Sequence, residues 1–144
     1  MRFLDSNVLL HAILVPRRAL RAEEQRVKDE AKATVKRIED GKEEVATTVV
    51  HLSEVVNIIE SGLSLERSLG FLAWVTTSRN VRVYSVTVED YEAAMSLARE
   101  IGVSANDALA YLCMKAREIE EIYSFDKHFN EFKDIKVLPK ASGT

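Results

Sequence analysis

The chain has 144 residues, the length of one ordinary domain, and a domain of that size buries roughly 68–70% of its unfolded surface without needing staples. With 47% hydrophobic and 30% charged residues, it reads as a folded, water-soluble domain and not as a disordered chain. A formal net charge of −3 excludes a protein that coats DNA by bulk charge. The single cysteine, Cys113, excludes an internal disulfide and fits a cytoplasmic protein. The apolar run Val8 to Val15 is broken by His11 and falls far short of the roughly 20 residues a membrane span needs, so neither a signal peptide nor a span is expected.

Arg2-Phe3-Leu4 opens the chain as a short strand, and Asp5-Ser6-Asn7 leads into a helix from Val8 to about Leu14 that Pro16 ends. Ala19 to Asp40 is a long charged helix with an apolar stripe through Leu20, Val27, Ala31, Val35 and Ile38, stopped by Gly41. Val45 to Thr47 is a strand, and Thr48 caps a helix from Val49 to about Glu60 that Gly62 ends. Ser64 caps the next helix, to about Thr77, and Val81 to Ser85 is a β-rich strand. Thr87 to Asp90 forms a capping box for a helix that ends at Ile101 against Gly102. Ser104 to Asp107 is a second such box, opening a helix to about Glu118. Strands follow at Glu121 to Phe125 and Ile135 to Val137, and residues 139–144 read as a flexible tail. Short apolar strands alternating with helices predict one α/β domain over residues 1–138, a three-layer α/β/α sandwich around a central, mostly parallel sheet.

In such sheets ligands bind outside the carboxyl ends of the strands. Four acids fall there. Asp5 follows the first strand and Asp126 follows Ile122-Tyr123-Ser124; Asp107 opens a helix, and Glu54 lies early in the helix after the second strand. Gathered carboxylates repel, and a hard divalent cation such as Mg²⁺ or Mn²⁺ resolves the conflict. Each acid alone has a structural reading: Asp107 as a capping-box residue, and Glu54 in a polar stripe with His51, Asn57 and Ser61. Asp126 with Lys127 and His128 fits ordinary turn chemistry, and Asp5-Ser6-Asn7 an Asx-turn. The functional reading rests on the four together.

The Asp-x-Asn opening (Asp5, Asn7), the helical Glu54, the segment Ser104 to Ala110 around Asp107, and Ser124-Phe125-Asp126-Lys127-His128-Phe129 together resemble PIN-domain nucleases. Size and single-domain build resemble the VapC group, the toxins of toxin–antitoxin pairs. The resemblance spans Met1 to about Leu138, with Ser124 where threonine is usual. It implies an endoribonuclease using Mg²⁺ or Mn²⁺ and acting on RNA, a homodimer, and an antitoxin protein as inhibitor. Asp5, Glu54, Asp107 and Asp126 would hold the metal, and Asn7 and Ser124 would orient ligands and water.

Between Arg17 and Glu43 lie nine basic and seven acidic residues. They read either as a solvated helix face or as phosphate contacts by Arg17, Arg18 and Arg21. The three histidines, on separate elements, show no metal-ligand spacing. Trp74 reads as core or dimer contact. Other functions compatible with these residues are a housekeeping PIN nuclease of RNA maturation and an inactive binding module. A phosphoacceptor signalling domain would need a lysine after a late strand, where this chain has Asp126.

Overall fold

The computed structural model describes residues 1–140. The tail expected over 139–144 therefore lies largely outside the described residues, although Pro139 and Lys140 line a cleft beside Asp126. Five strands, β1 (Arg2–Leu4), β2 (Val45–Thr48), β3 (Val81–Tyr84), β4 (Glu121–Tyr123) and β5 (Lys136–Leu138), form one wholly parallel sheet in the order β3-β2-β1-β4-β5. The helices are α1 (Ser6–Ile13), α2 (Ala22–Glu39), α3 (Val49–Gly62), α4 (Leu65–Thr77), α5 (Val88–Ile101) and α6 (Ala105–Ala116), with a 3₁₀ helix at Lys127–Glu131. No described helix is long and apolar enough to cross a membrane.

Alternating side chains divide the core between the two sheet faces. Leu4, Val45, Val81 and Tyr123 pack with α1, α2, α3 and α4. Phe3, Ala46 and Ile122 pack with Ala110 and Met114 of α6 and with Phe129 and Phe132. Helices thus cover both faces, the three-layer arrangement that the strand–helix alternation predicts. Phe129 is fully buried and anchors the 3₁₀ helix. Phe129→Ala is expected to cost about 3–5 kcal/mol through lost burial and the cavity left behind, measured as a shift in chemical denaturation; a loss below about 1 kcal/mol would mean that the segment is not anchored there.

Local differences from the sequence reading have local causes. α2 begins at Ala22, not Ala19, where Glu24 reaches back to accept from the Arg21 amide (3.1 Å), the one half of a capping box that an arginine at this position allows. Leu20 therefore leaves the helical stripe and lines a groove with Leu10, Leu14 and Phe125. Gly62 is the last residue of α3, not its left-handed stop, and Leu63 is the cap. Gly41 and Gly102 do take positive φ, at 71° and 85°, where glycine escapes the Cβ clash. α6 ends at Ala116 instead of Glu118, which has left the helix at φ 56°. β4 ends at Tyr123, short of Phe125, because the Phe125 amide turns out of the ladder to donate to Asn7 Oδ1 (3.2 Å).

The strand order decides where chemistry can occur. The chain runs outward from β1 through β2 to β3, then crosses over to β4 on the other side of β1. The carboxyl ends of β1 and β4 therefore flank the topological switch point, where open parallel sheets leave a crevice. The Asp5 amide donates to the Tyr123 carbonyl (3.0 Å) across that junction.

Candidate active site

Asp5, Asn7, Glu54, Asp107 and Asp126 line one cleft of about 510 Å³ at this crevice, together with Ser6 and Asn106. Asp5 leaves β1 as the N-cap of α1, its Oδ1 accepting from the Ser6 amide (2.9 Å). Glu54 projects from the second turn of α3, and its Oε1 accepts from the Ser6 hydroxyl (3.4 Å). Asn57 and Ser61 are exposed, as a solvated stripe requires, but His51 is buried and Glu54 lines the cleft. Asp107 occupies the third residue of α6, where its amide donates to Ser104 Oγ (3.1 Å). The reciprocal bond of a capping box is made by Asp90 on α5 but not by Asp107. The Asp107 carboxylate is instead turned toward Asp126 and His128.

Ser124 and Asn7 hold the centre. The Ser124 hydroxyl donates to Asp5 Oδ2 (2.7 Å) and accepts from the Asp126 amide (3.0 Å) and from Asn7 Nδ2 (3.4 Å). One donor and two acceptor sites are all that a hydroxyl offers, and all are used. A buried serine at the end of β4 thus ties the acid after β1 to the acid after β4.

The electrostatics differ from those of a structural acid elsewhere in the same chain. Burial pushes the Glu43 carboxyl up, but hydrogen bonds from Tyr123, Arg2 and Arg37 outweigh it and hold the group below its ordinary value. No lysine or arginine among the described residues pairs with Asp5, Glu54, Asp107 or Asp126. Burial, with the charges of Asp107 and Glu54 adding to it, raises Asp5 to about 7 against the bonds from Ser124 and Ser6. Burial and then the Asp126 charge raise Asp107 to about 6. Burial also raises Glu54. Uncompensated carboxylates converging on one crevice are a donor set for a hard divalent cation.

Sequence reasoning missed several participants. Asn106 hydrogen-bonds Glu54 and accepts from the Tyr91 hydroxyl at Oδ1 (2.8 Å). His51 is buried between Thr48 Oγ1 (2.7 Å) and the Asn106 carbonyl (3.2 Å), which locks the start of α3 to the start of α6. Burial lowers its pKa to about 4, so it is a neutral strut. His128, discounted for want of ligand spacing among the histidines, stands with Asp107 and Asp126, their candidate ligand atoms within 4.8 Å of one another. Its adjacency to Asp126 in Asp-Lys-His was the available signal.

The arginines fall elsewhere. Arg18 binds Glu24 with two bonds (3.0 and 2.7 Å) and Arg21 binds the same carboxylate (3.1 Å), while Arg17 is exposed; none of the three lines the acidic cleft. Nor does any lysine line it, as a phosphoacceptor site would require.

Comparison with known proteins agrees with this fold. The PIN domain family model matches residues 2–135. No curated protein sequence matches the chain. Among solved structures, the fold is similar to VapC20 of Mycobacterium tuberculosis, a toxin that cleaves the sarcin–ricin loop: the TM-score is 0.70 at 24% identity, over 96% of this chain and 100% of that one. It is also similar to a toxin–antitoxin complex from Klebsiella pneumoniae (TM-score 0.64, 15% identity, 96% and 97% covered). VapBC2 of Rickettsia felis, bound to a fragment of promoter DNA, gives a TM-score of 0.62 at 12% identity, with 94% and 96% covered. Identities this low speak to the fold, whereas the family match runs through all four acidic segments. The chain belongs to the PIN-domain family.

Proposed function

We propose that this protein is a metal-dependent endoribonuclease, the toxin member of a toxin–antitoxin pair. The observation that carries the reading is a cleft at the switch point lined by Asp5, Glu54, Asp107 and Asp126, none of them paired with lysine or arginine among the described residues. The donor set is all oxygen at Asp5 and Glu54 and suits Mg²⁺ or Mn²⁺. Such an ion, when bound, supplies a Lewis acid for a phosphodiester oxygen and a lowered pKa for water. Asp5, Glu54, Asp107 and Asp126 would hold it. Ser124 fixes the Asp5 carboxylate through its 2.7 Å bond, and Asn7 braces Ser124 and the Phe125 amide. His51 and Asn106 set the spacing between the Glu54 and Asp107 helices.

The test is cleavage of total RNA by the purified chain. Cutting is expected with Mn²⁺ or Mg²⁺, is abolished by EDTA and returns on adding the ion. Undiminished cutting in EDTA, or none with either ion, would overturn the reading. Housekeeping RNA maturation remains the alternative within the same family.

The toxin assignment also carries an expected antitoxin and a second copy of the chain. Leu65 and Leu69 on α4 and Ile58 on α3 are exposed at 57%, 55% and 41%. These two helices pack on each other, and exposed apolar side chains on both suit an isologous interface. Light scattering is expected to give twice the 16.2 kDa chain mass; a monomer across micromolar concentrations would remove the dimer.

A further inference from the structure

We infer that His128 is itself a metal ligand, forming with Asp107 and Asp126 a mixed nitrogen–oxygen face that favours first-row transition ions over Mg²⁺; this rests on the metal-dependent reading above. His128 Nδ1 lies 3.1 Å from Asp126 Oδ1 and 3.8 Å from Asp107 Oδ2. Ligand atoms about 2.1 Å from one ion sit about 3.0 Å apart when adjacent in an octahedron and about 4.2 Å apart when opposite. With the three candidate ligand atoms all within 4.8 Å of one another, the three residues are close enough to share one ion.

The ring is placed there by the chain around it. Asp126 caps the 3₁₀ helix, and its Oδ1 accepts from the His128 amide (2.9 Å). Phe129, the next residue, is fully buried in the core below, while the His128 ring faces Asp107 and Asp126. The His128 side chain is 64% exposed, and its ring's polar partners among the described residues are those two carboxylates. Packing therefore does not explain its position. An imidazole is a softer donor than a carboxylate. Mg²⁺ prefers oxygen and keeps its waters, whereas affinity for nitrogen-containing sites rises from Mn²⁺ through Fe²⁺ and Co²⁺. Asp5 and Glu54 would present the hard side of the site, and His128 the side that discriminates.

The test uses the full chain, with Mn²⁺ as the probe. Electron spin-echo spectroscopy of the bound ion is expected to show nitrogen-14 modulation from a coordinated imidazole. The modulation should vanish in His128→Gln and persist in His11→Gln. His51 is engaged at both ring nitrogens and cannot substitute. His128→Gln should also weaken Mn²⁺ binding by at least about tenfold, the lower end of what loss of an outer-shell partner costs, and weaken Mg²⁺ binding less. Because the side chain is exposed, the variant is expected to fold, which its circular dichroism checks. Bound Mn²⁺ with oxygen ligands alone overturns this proposal and leaves the nuclease reading intact. Failure to bind Mn²⁺ overturns this proposal, and failure to bind either Mn²⁺ or Mg²⁺ overturns the nuclease reading as well.

Discussion

Asp126→Asn and Asp5→Asn are each expected to lower RNA cleavage by roughly 10²–10⁴-fold in kcat/KM, about 3–5 kcal/mol of transition-state stabilisation. Each removes a charged oxygen from the proposed ligand set while nearly preserving shape. The two should differ in mode. Asp126 is partly exposed at the cleft's rim, beside His128. Asp5 is buried and bound by Ser124 and Ser6. Its loss also frees the Ser124 hydroxyl that fixes the Asp126 amide, so Asp5→Asn should be the more damaging. The double variant should cost less than the sum of the single ones, because residues that serve one ion act as a unit. Cleavage by either variant within a few-fold of the unmodified chain would show that the residue is no ligand.

The same Asp5→Asn change is expected to help folding when no metal is present. The group's pKa is raised from 3.8 to about 7 in the folded chain, so folding favours its neutral form. Below about pH 4 it is protonated in both states and contributes nothing. As pH rises from there to 7, the unfolded chain ionises first and stability is lost. Above 7 the penalty is complete, at an upper limit of about 4 kcal/mol. Asparagine cannot ionise, but it gives up one of the two accepted hydrogen bonds, which takes back about 1–3 kcal/mol. In EDTA at pH 8 the variant should therefore melt at or slightly above the unmodified chain, and its advantage should shrink as pH falls to 5. Saturating metal reverses the order: an ion at about a hundred times its Kd adds about 2.7 kcal/mol to the unmodified chain and much less to the variant. A variant that melts several degrees lower in EDTA at pH 8, with a parent indifferent to Mn²⁺ and Mg²⁺, would make Asp5 a structural cap.

The sequence by itself determined the elements and the layer architecture, because caps and periodicity are nearest-neighbour physics. Thr48, Ser64, Thr87 and Ser104 each cap the helix that follows them, and each can be recognised from a few adjacent residues. It also marked Asp5, Glu54, Asp107 and Asp126, since acids placed after strands or in first helical turns reach the carboxyl edge in any doubly wound sheet. Only the tertiary structure decided which acids lack a counter-charge. Glu43 and Asp5 look alike in the chain, yet the first meets Arg2 and Arg37 at the amino end of the sheet, while the second faces other carboxylates across the β1–β4 junction. Only the structure joined Arg18 and Arg21 to one carboxylate, that of Glu24. It alone joined His51 to Asn106 across 55 residues. It also set His128 between two acids, because burial of Phe129 fixes the turn on which that ring stands. Those outcomes depend on strand order and on which neighbours burial brings into contact, and neither is written in local spacing.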